Sequence, residues 1–207
     1  METRDRIISK SIELFVRFGI RYVTMDQIAA ELGISKRTIY ELFKDKDDLL
    51  LQCIEEMGKR NNRELHDIVV KSENVIEALY MIGQHGEKKK ASINPLFFDD
   101  IGKLYPHLLK IFIKKQGPGH ESVSYTILKK GTHQGIFRKE LNLDIVDVFI
   151  HEMMKICHDI SIFPEDSNSS GIIKNIVIPY FRGISTDKGK ELIEKHFPFN
   201  NNNLITE

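Results

Sequence analysis

The sequence predicts an all-α protein in which a small N-terminal three-helix unit precedes a larger helical region. Apolar residues recur three and four positions apart along most of the 207 residues, which is the spacing of helix faces. Glycines and capping residues divide the first fifty residues into short helices. We find no strand-rich segment. The domain boundaries that we expect are 1–50 and 51–199, with a loose polar tail at 200–207.

The composition is typical of a cytoplasmic globular protein. Hydrophobic residues make up 41% of the chain and charged residues 29%, which are ordinary values. No apolar run approaches the roughly 20 residues of a membrane-spanning helix, and the N-terminus lacks the apolar segment of a secretory signal. Cys53 and Cys157 are far apart and form no CxxC motif, so we interpret both as buried structural thiols. We therefore expect a cytoplasmic protein with no membrane partner.

The net charge is zero, because 30 acidic residues balance 30 basic ones. This balance argues against a protein that is coated with basic charge, but it permits a local basic patch. Such a patch is expected between Ser35 and Lys46, where four cations oppose only Glu41 and Asp45. The four cations are Lys36, Arg37, Lys44 and Lys46.

The first fifty residues carry the start and stop signals of consecutive helices. Thr3 is expected to cap a first helix that runs to about Phe18 and ends at Gly19. Thr24, followed three residues later by Gln27, forms the capping-box pattern that begins a second helix.

A tight turn separates the second predicted helix from the third. Gly33 stands where a left-handed turn residue is needed, and Ser35 is placed to cap a helix that runs to about Phe43. We therefore predict a helix-turn-helix motif over residues 24–43 within a three-helix bundle. The alternative is a generic helical bundle whose exposed cations are only solvated.

The exposed face of the third predicted helix combines two cations with a phenol. Lys36, Arg37 and Tyr40 share this face because they are three and four residues apart. Lysine and arginine can donate to guanine O6 and N7 in the major groove, and hydroxyls at helix N-termini can contact phosphates. The DNA-binding residues that we predict are Thr24, Ser35, Lys36, Arg37, Thr38, Tyr40, Lys44 and Lys46.

Residues 15–50, "FVRFGIRYVTMDQIAAELGISKRTIYELFKDKDDLL", resemble the DNA-binding domain of TetR-type transcriptional regulators. The matching residues are Phe15, Gly19, Thr24, Ile28, Ala29, Gly33, Ile34, Ser35, Ile39, Tyr40, Phe43, Lys44, Lys46 and the "DDLL" that follows. The resemblance implies a homodimer, a helical C-terminal domain that binds a small-molecule effector, and repression at a palindromic DNA operator that the effector relieves. Arg37 departs from the small residue that is common at its position in the family, so the resemblance does not supply its base preference.

The remaining three quarters of the chain are predicted to be almost wholly helical. A long fourth helix is expected from Asp47 toward Val70, and a fifth within "ENVIEALYMIGQHG" that breaks at "EKKKAS". Pro95 and Pro106 punctuate shorter helices, and a further helix is expected from Ser122 to Gly135.

Two late segments, residues 143–163 and 171–186, are apolar on more than one side. A helix that is apolar on two sides needs partners on two sides, and the second partner is either another subunit or the interior of a monomer. In the family that the N-terminus resembles, two late helices pair across the dimer, and these two segments are the candidates. Pro179 is expected to kink or restart the second of them.

The sequence carries no catalytic or metal-binding signal, so we expect neither an enzyme nor a cofactor. "HEMMK" at 151–155 begins like a zinc-protease helix but has Lys155 where the second ligand is required. A DNA-processing enzyme such as a recombinase is disfavoured by the helical pattern after residue 50. A DNA-organising protein that binds no effector stays open as an alternative, since only a test of ligand dependence separates it from a regulator.

Overall fold

A computed structural model of the chain describes residues 2–115, 117–158, 162–164 and 167–198. Regular structure in these residues is helical apart from an isolated bridge between Phe137 and Ser185, which confirms the all-α prediction. The α-helices are α1 Thr3–Phe18, α2 Met25–Leu32, α3 Lys36–Leu42, α4 Lys46–Lys71, α5 Val75–Ser92, α6 Pro95–Leu104, α7 Pro106–Lys115, α8 Val123–His133, α9 Leu143–His158, α10 Ser169–Ile172, α11 Ile178–Ile184 and α12 Asp187–His196. A π-helical segment, Ile173–Val177, lies between α10 and α11. None of the described helices is long and apolar enough to cross a membrane.

The chain divides into two compact units. The first comprises the described residues up to Glu64 and those from His85 to the end of α7. The second comprises Leu65–Gln84 and the described residues from Gly117 onward. Helices α6 and α7 therefore fold with the N-terminal helices although they lie far from them in the sequence. The predicted boundaries at 50 and 51 stay a prediction, and the predicted tail at 200–207 lies outside the described residues.

The start of α1 differs from the prediction, whereas its end and the start of α2 agree with it. Glu2 precedes the helix and its carbonyl oxygen accepts the Arg6 N–H at 3.1 Å, so Thr3 already lies inside α1 and the prediction of a Thr3 cap was wrong. Gly19 ends α1 with φ 83°. The capping box of α2 is confirmed, since the Gln27 N–H donates to Thr24 Oγ1 at 3.2 Å and the Thr24 N–H donates to Gln27 Oε1 at 2.9 Å.

The turn between α2 and α3 has the predicted conformation. Gly33 adopts the left-handed region with φ 65° and ψ 31°, and the Ile34 N–H donates to the Ala29 carbonyl at 3.1 Å. Ser35 caps α3 by accepting the Thr38 N–H on its hydroxyl oxygen at 3.1 Å. These bonds satisfy backbone groups that a helix leaves unpaired at its ends, so the turn is short without being strained.

One apolar core holds the first unit together. The largest fully buried side chains in it are Phe15, Phe43, Ile7, Ile20, Ile28, Ile39, Leu49 and Leu50. Phe97, Ile101 and Leu108, from α6 and α7, belong to the same core. Full burial of each such side chain contributes about 1.5–3 kcal/mol, so α6 and α7 are part of what keeps α1–α4 folded.

Helix α6 approaches the end of α1 closely. The Asn94 N–H donates to the Val16 carbonyl at 2.9 Å, and the Asn94 side-chain amide donates to the Arg17 carbonyl at 3.0 Å. A Cβ atom on Gly19 would lie 2.9 Å from Leu96 Cβ and 3.3 Å from Asp100 Oδ2. Glycine at this position is thus required both by the positive φ and by the neighbouring helix.

The second unit is built around α8, α9, α11 and α12 together with the adjoining parts of α4 and α5. Asp147 on α9 is buried, and its carboxylate accepts the Gly119 N–H at 2.8 Å and the Ser122 hydroxyl at 3.0 Å. The Lys130 ammonium donates to the Ser72 carbonyl at 2.9 Å. These bonds fix the loop before α8 and the turn after α4.

The later helices differ from the prediction, or go beyond it, at three places. Helix α5 runs unbroken through "EKKKAS", because Lys89 is held by Glu64 at 2.8 Å and by Asn61 at 2.9 Å. Helix α9 is described as far as His158, and the predicted continuation crosses 159–161, which lie outside the described residues. Helix α12, capped by Thr186, was not predicted. Pro179, predicted to kink or restart the helix, stands in the first turn of α11 directly after the π-helical segment, and the backbone of Val177 and Ile178 stays helical, so the helix changes type there without an interruption.

Both cysteines are free and buried, as the sequence predicts. Burial raises the pKa of the Cys53 thiol and of the Cys157 thiol, so both thiols stay protonated at neutral pH.

Alanine variants at three glycines test the turn assignments. We expect Gly33→Ala to lower the free energy of unfolding by about 1 kcal/mol, because alanine is strained in the left-handed region. Gly19→Ala should cost more, about 2–3 kcal/mol, because its Cβ also displaces Leu96. Gly83→Ala is the control: Gly83 lies inside α5 with open space around it, so alanine should be neutral or stabilising by up to about 1 kcal/mol. Urea denaturation followed by circular dichroism measures all three, and equal losses would contradict the assignments.

Candidate nucleic-acid interface

Helix α3 exposes the face on which the sequence places Lys36, Arg37 and Tyr40. The Arg37 side chain is 88% exposed and the Lys36 side chain 53%. Tyr40 is 46% exposed, while Ile39 on the opposite side is fully buried. The helix therefore presents two cations and a phenol to solvent from a backbone that is anchored in the core.

Lys36 joins α3 to the start of α2. Its ammonium lies 2.8 Å from Asp26 Oδ1 and 3.1 Å from Asp26 Oδ2, and it stands 5.9 Å from the centre of the Tyr40 ring. The hydrogen bond to Asp26 raises the pKa of Lys36, and the Coulombic attraction of the same carboxylate acts in the same direction. Lys36 thus stays charged over the whole physiological pH range.

Arg37 is held by a residue one turn further along α3. Its Nε donates to Glu41 Oε1 at 3.0 Å, in an i, i+4 pair that is exposed on both sides. The bond uses Nε and not the two terminal amino groups of the guanidinium. Arginine recognises carboxylates, phosphates and guanine in other proteins through its two terminal amino groups. In Arg37 the bond to Glu41 leaves these two groups unused.

The predicted hydroxyl groups lie at the first turns of the two helices. Thr24 Oγ1 accepts the Gln27 N–H, and Ser35 Oγ accepts the Thr38 N–H. The Ser35 and Thr38 hydroxyl oxygens are also 2.9 Å apart. Thr24 and Ser35 thus fix the helix ends whose remaining N–H groups and positive dipole favour an anion.

The two lysines after α3 have different surroundings. Lys44 is exposed, and its backbone N–H donates to Asp48 Oδ2 at 3.0 Å, a bond that lowers the pKa of Asp48. The Lys46 ammonium instead turns inward and donates to the Ile20 carbonyl at 2.6 Å, 6.0 Å from the centre of the Phe15 ring. Burial lowers the pKa of Lys46. Of the predicted residues, Lys46 is the one that the structure does not bring to the exposed face.

Sequence reasoning missed Asp26, and it counted Glu41 as an opposing charge without pairing it with Arg37. The i, i+4 spacing of Arg37 and Glu41 is a signal that could have identified one pair. The pair between Asp26 and Lys36 links two helices across the turn, so no spacing rule within one helix indicates it. Among the residues that the structure describes, no three His, Cys, Asp or Glu side chains are grouped as a metal site would require.

Comparison with known sequences identifies relatives of the N-terminal unit. Residues 7–53 match the family model "Bacterial regulatory proteins, tetR family". YerO of Bacillus subtilis, an uncharacterized HTH-type transcriptional regulator, is 46% identical over 54 residues, which are 26% of this chain and 19% of that protein. An HTH-type transcriptional regulator of Staphylococcus aureus is 42% identical over 55 residues, 27% of this chain and 30% of that protein. The chain thus spans less than a third of the length of these curated relatives.

Solved structures share the fold over most of the chain. A transcriptional regulator from Cytophaga hutchinsonii superposes with a TM-score of 0.64 at 19% identity, covering 88% of this chain and 98% of that one. A TetR-family transcriptional regulator from Pectobacterium atrosepticum superposes with a TM-score of 0.62 at 16% identity, covering 89% of this chain and 94% of that one. A gamma-butyrolactone receptor superposes with a TM-score of 0.51 at 17% identity, covering 94% of this chain and 96% of that one.

Replacement of each lysine after α3 by methionine tests their different roles. Lys46→Met removes the bond to the Ile20 carbonyl, and we expect it to lower the free energy of unfolding by about 1–2 kcal/mol. Lys44→Met is the matched control, and its effect should stay within about 0.5 kcal/mol because the side chain is exposed. Urea denaturation measures both. An unaltered stability of Lys46→Met would show that the inward contact contributes nothing.

Proposed function

We propose that this chain is a member of the tetR family of bacterial regulatory proteins and acts as a homodimeric transcriptional repressor that binds a palindromic DNA operator and is released by a small ligand. The observation that carries this proposal is the exposed cationic face of α3, held by a helix-turn-helix whose turn and caps are all in place. In proteins with this motif the second helix lies in the major groove.

The dimensions of α3 suit base reading at its first turn. Its seven residues span about 10 Å, and the major groove is about 12 Å wide. Arg37 and Lys36 lie in the first turn and would donate to guanine O6 and N7, while Thr38 would contact a neighbouring base edge. Tyr40, one turn further, would reach a phosphate through its hydroxyl.

Phosphate contacts would position α3 in the groove. The capped starts of α2 and α3, at Thr24 and Ser35, offer backbone N–H groups and positive dipole ends to phosphates. Lys44 would neutralise a further phosphate, and each phosphate neutralised adds about 0.9 to the salt slope of binding. Lys46 is left out of this set, because its ammonium is occupied by the Ile20 carbonyl.

An exposed apolar stripe on α9 supports the homodimer. Ile145 is 67% exposed and Val148, Phe149 and Ile156 are each about half exposed. These residues follow helical spacing on one side of α9, while Val146, Ile150 and Met153 are buried on the other. Exposed apolar surface of this kind marks an interface, which a second copy of the chain would cover. To read a palindromic operator, the two α3 helices of the dimer would need to lie about 34 Å apart, one DNA turn, or somewhat more.

The ligand-responsive part rests on the family and on the helical second unit. A structural neighbour is named for the gamma-butyrolactone that it receives. By analogy we infer a small organic effector for the second unit of this chain. If the effector binds one conformation of the dimer better than another, and the two differ in the spacing of the α3 helices, it would change the affinity for the operator.

Alanine variants of the α3 cations test the proposal on an operator obtained by selection from a random DNA pool. We expect Arg37→Ala and Lys36→Ala each to weaken operator binding by about fivefold or more, because each removes a base contact. Lys103→Ala is the control, since Lys103 is an exposed cation of α6 paired with Asp99 in the same unit. Its affinity should match the wild type. Two chains should bind each duplex.

Three outcomes count against the proposal. If the selection enriches no sequence, the proposed recognition of an operator is wrong. If one chain binds each duplex, the proposed dimer is wrong. If the α3 variants bind the operator as the wild type does, the assignment of α3 as the base-contacting helix is wrong. A screen of small organic molecules for release of the operator then tests the effector, and release by none of them would favour the DNA-organising protein.

A further inference from the structure

Each cation at the start of α3 has its own carboxylate on the same face. Lys36 lies 2.8 Å from Asp26, and Arg37 lies 3.0 Å from Glu41. All four side chains are at least half exposed, so these pairs stand in solvent and are open to exchange with DNA. The four residues together carry no net charge, and the net charge of the whole chain is also zero.

The first pair opposes binding to arbitrary sequences. Non-specific affinity for DNA comes almost entirely from cations that neutralise phosphates. Asp26 holds Lys36 through both carboxylate oxygens, so a phosphate that approaches Lys36 must displace Asp26 and then lie beside its negative charge. A lysine in this position adds less to phosphate binding than a free lysine would.

The second pair orients a base-reading group. Glu41 accepts from Arg37 Nε, so the carboxylate restricts the long arginine side chain at the nitrogen next to its stem. The terminal amino groups, which form the bidentate pair with guanine O6 and N7, take no part in that bond. A side chain that is held in this way loses less rotamer entropy when it binds a base.

We propose that Asp26 and Glu41 are specificity-determining residues of the α3 face: Asp26 suppresses phosphate binding by Lys36, and Glu41 positions Arg37 for guanine. This inference rests on the DNA-binding function proposed above and deepens it. Base contacts, not overall positive charge, then determine where the protein binds, in agreement with a chain whose acidic and basic residues are equal in number.

The test compares Asp26→Asn and Glu41→Gln with the matched control Asp67→Asn. Asp67 is an exposed carboxylate paired with Lys71 on α4, so its variant makes the same change in charge away from α3. Fluorescence anisotropy measures binding to the selected operator and to a scrambled duplex of equal length and composition between about 50 and 200 mM salt. Circular dichroism shows that each exposed-site variant is folded.

We expect the two variants to lower the specificity ratio in different ways. Asp26→Asn should bind the scrambled duplex about threefold more tightly at low salt and add about 0.9 per chain to its salt slope, the effect of one further phosphate contact. Glu41→Gln should weaken operator binding about threefold or more, because the neutral amide holds Arg37 Nε less firmly than a carboxylate does, while binding of the scrambled duplex should stay the same or tighten as one negative charge leaves the face. Asp67→Asn should leave both affinities unchanged.

Other results separate failure of this inference from failure of the proposed function. If the wild type prefers the operator but Asp26→Asn behaves like Asp67→Asn, Asp26 has no role in specificity. If Glu41→Gln changes both duplexes equally, Glu41 does not position Arg37. If the wild type binds no sequence preferentially, the proposed function fails and this inference fails with it.

Discussion

The carboxylate of Asp100 holds the turn on which the helix-turn-helix depends. Asp100 is 2% exposed, and its Oδ2 accepts the Arg21 N–H at 2.7 Å while Oδ1 lies 3.6 Å from Arg21 Nε. A buried carboxylate without partners is very unfavourable, so the contacts with the Arg21 backbone and side chain stabilise the packing of α6 on α1 and on the segment that follows α1. A residue 79 positions further along the chain thereby fixes the segment between α1 and α2.

Two further contacts converge on the same segment. Gly19 leaves room for Leu96 of α6, and the Ile20 carbonyl accepts the Lys46 ammonium at the start of α4. Helices α1, α4 and α6 thus hold the three residues 19–21, and α2 begins a few residues later at its Thr24 cap. The orientation of α2, and through the Gly33 turn that of α3, follows from how this segment is held.

The caps and the turn of the helix-turn-helix could be predicted from the sequence because the groups that form them lie within a few residues of each other. The Thr24 box, the Gly33 turn and the Ser35 cap each join groups that are three to five positions apart. The inward turn of Lys46 could not be predicted, since its acceptor is 26 residues away. The Asp100 contact with Arg21 spans 79 residues, and only the folded chain brings the two together.

The most direct test of this account is the operator affinity of Asp100→Asn against that of Asp99→Asn. Asp99 is the exposed neighbour, paired with Lys103, so the two variants make the same chemical change at an exposed and at a buried position of α6. We predict that folded Asp100→Asn binds the operator about threefold or more weakly than the wild type, because the support of the segment before α2 is lost, and that Asp99→Asn binds as the wild type does. Wild-type operator affinity in Asp100→Asn would contradict the claim that α6 holds α2 and α3 in position.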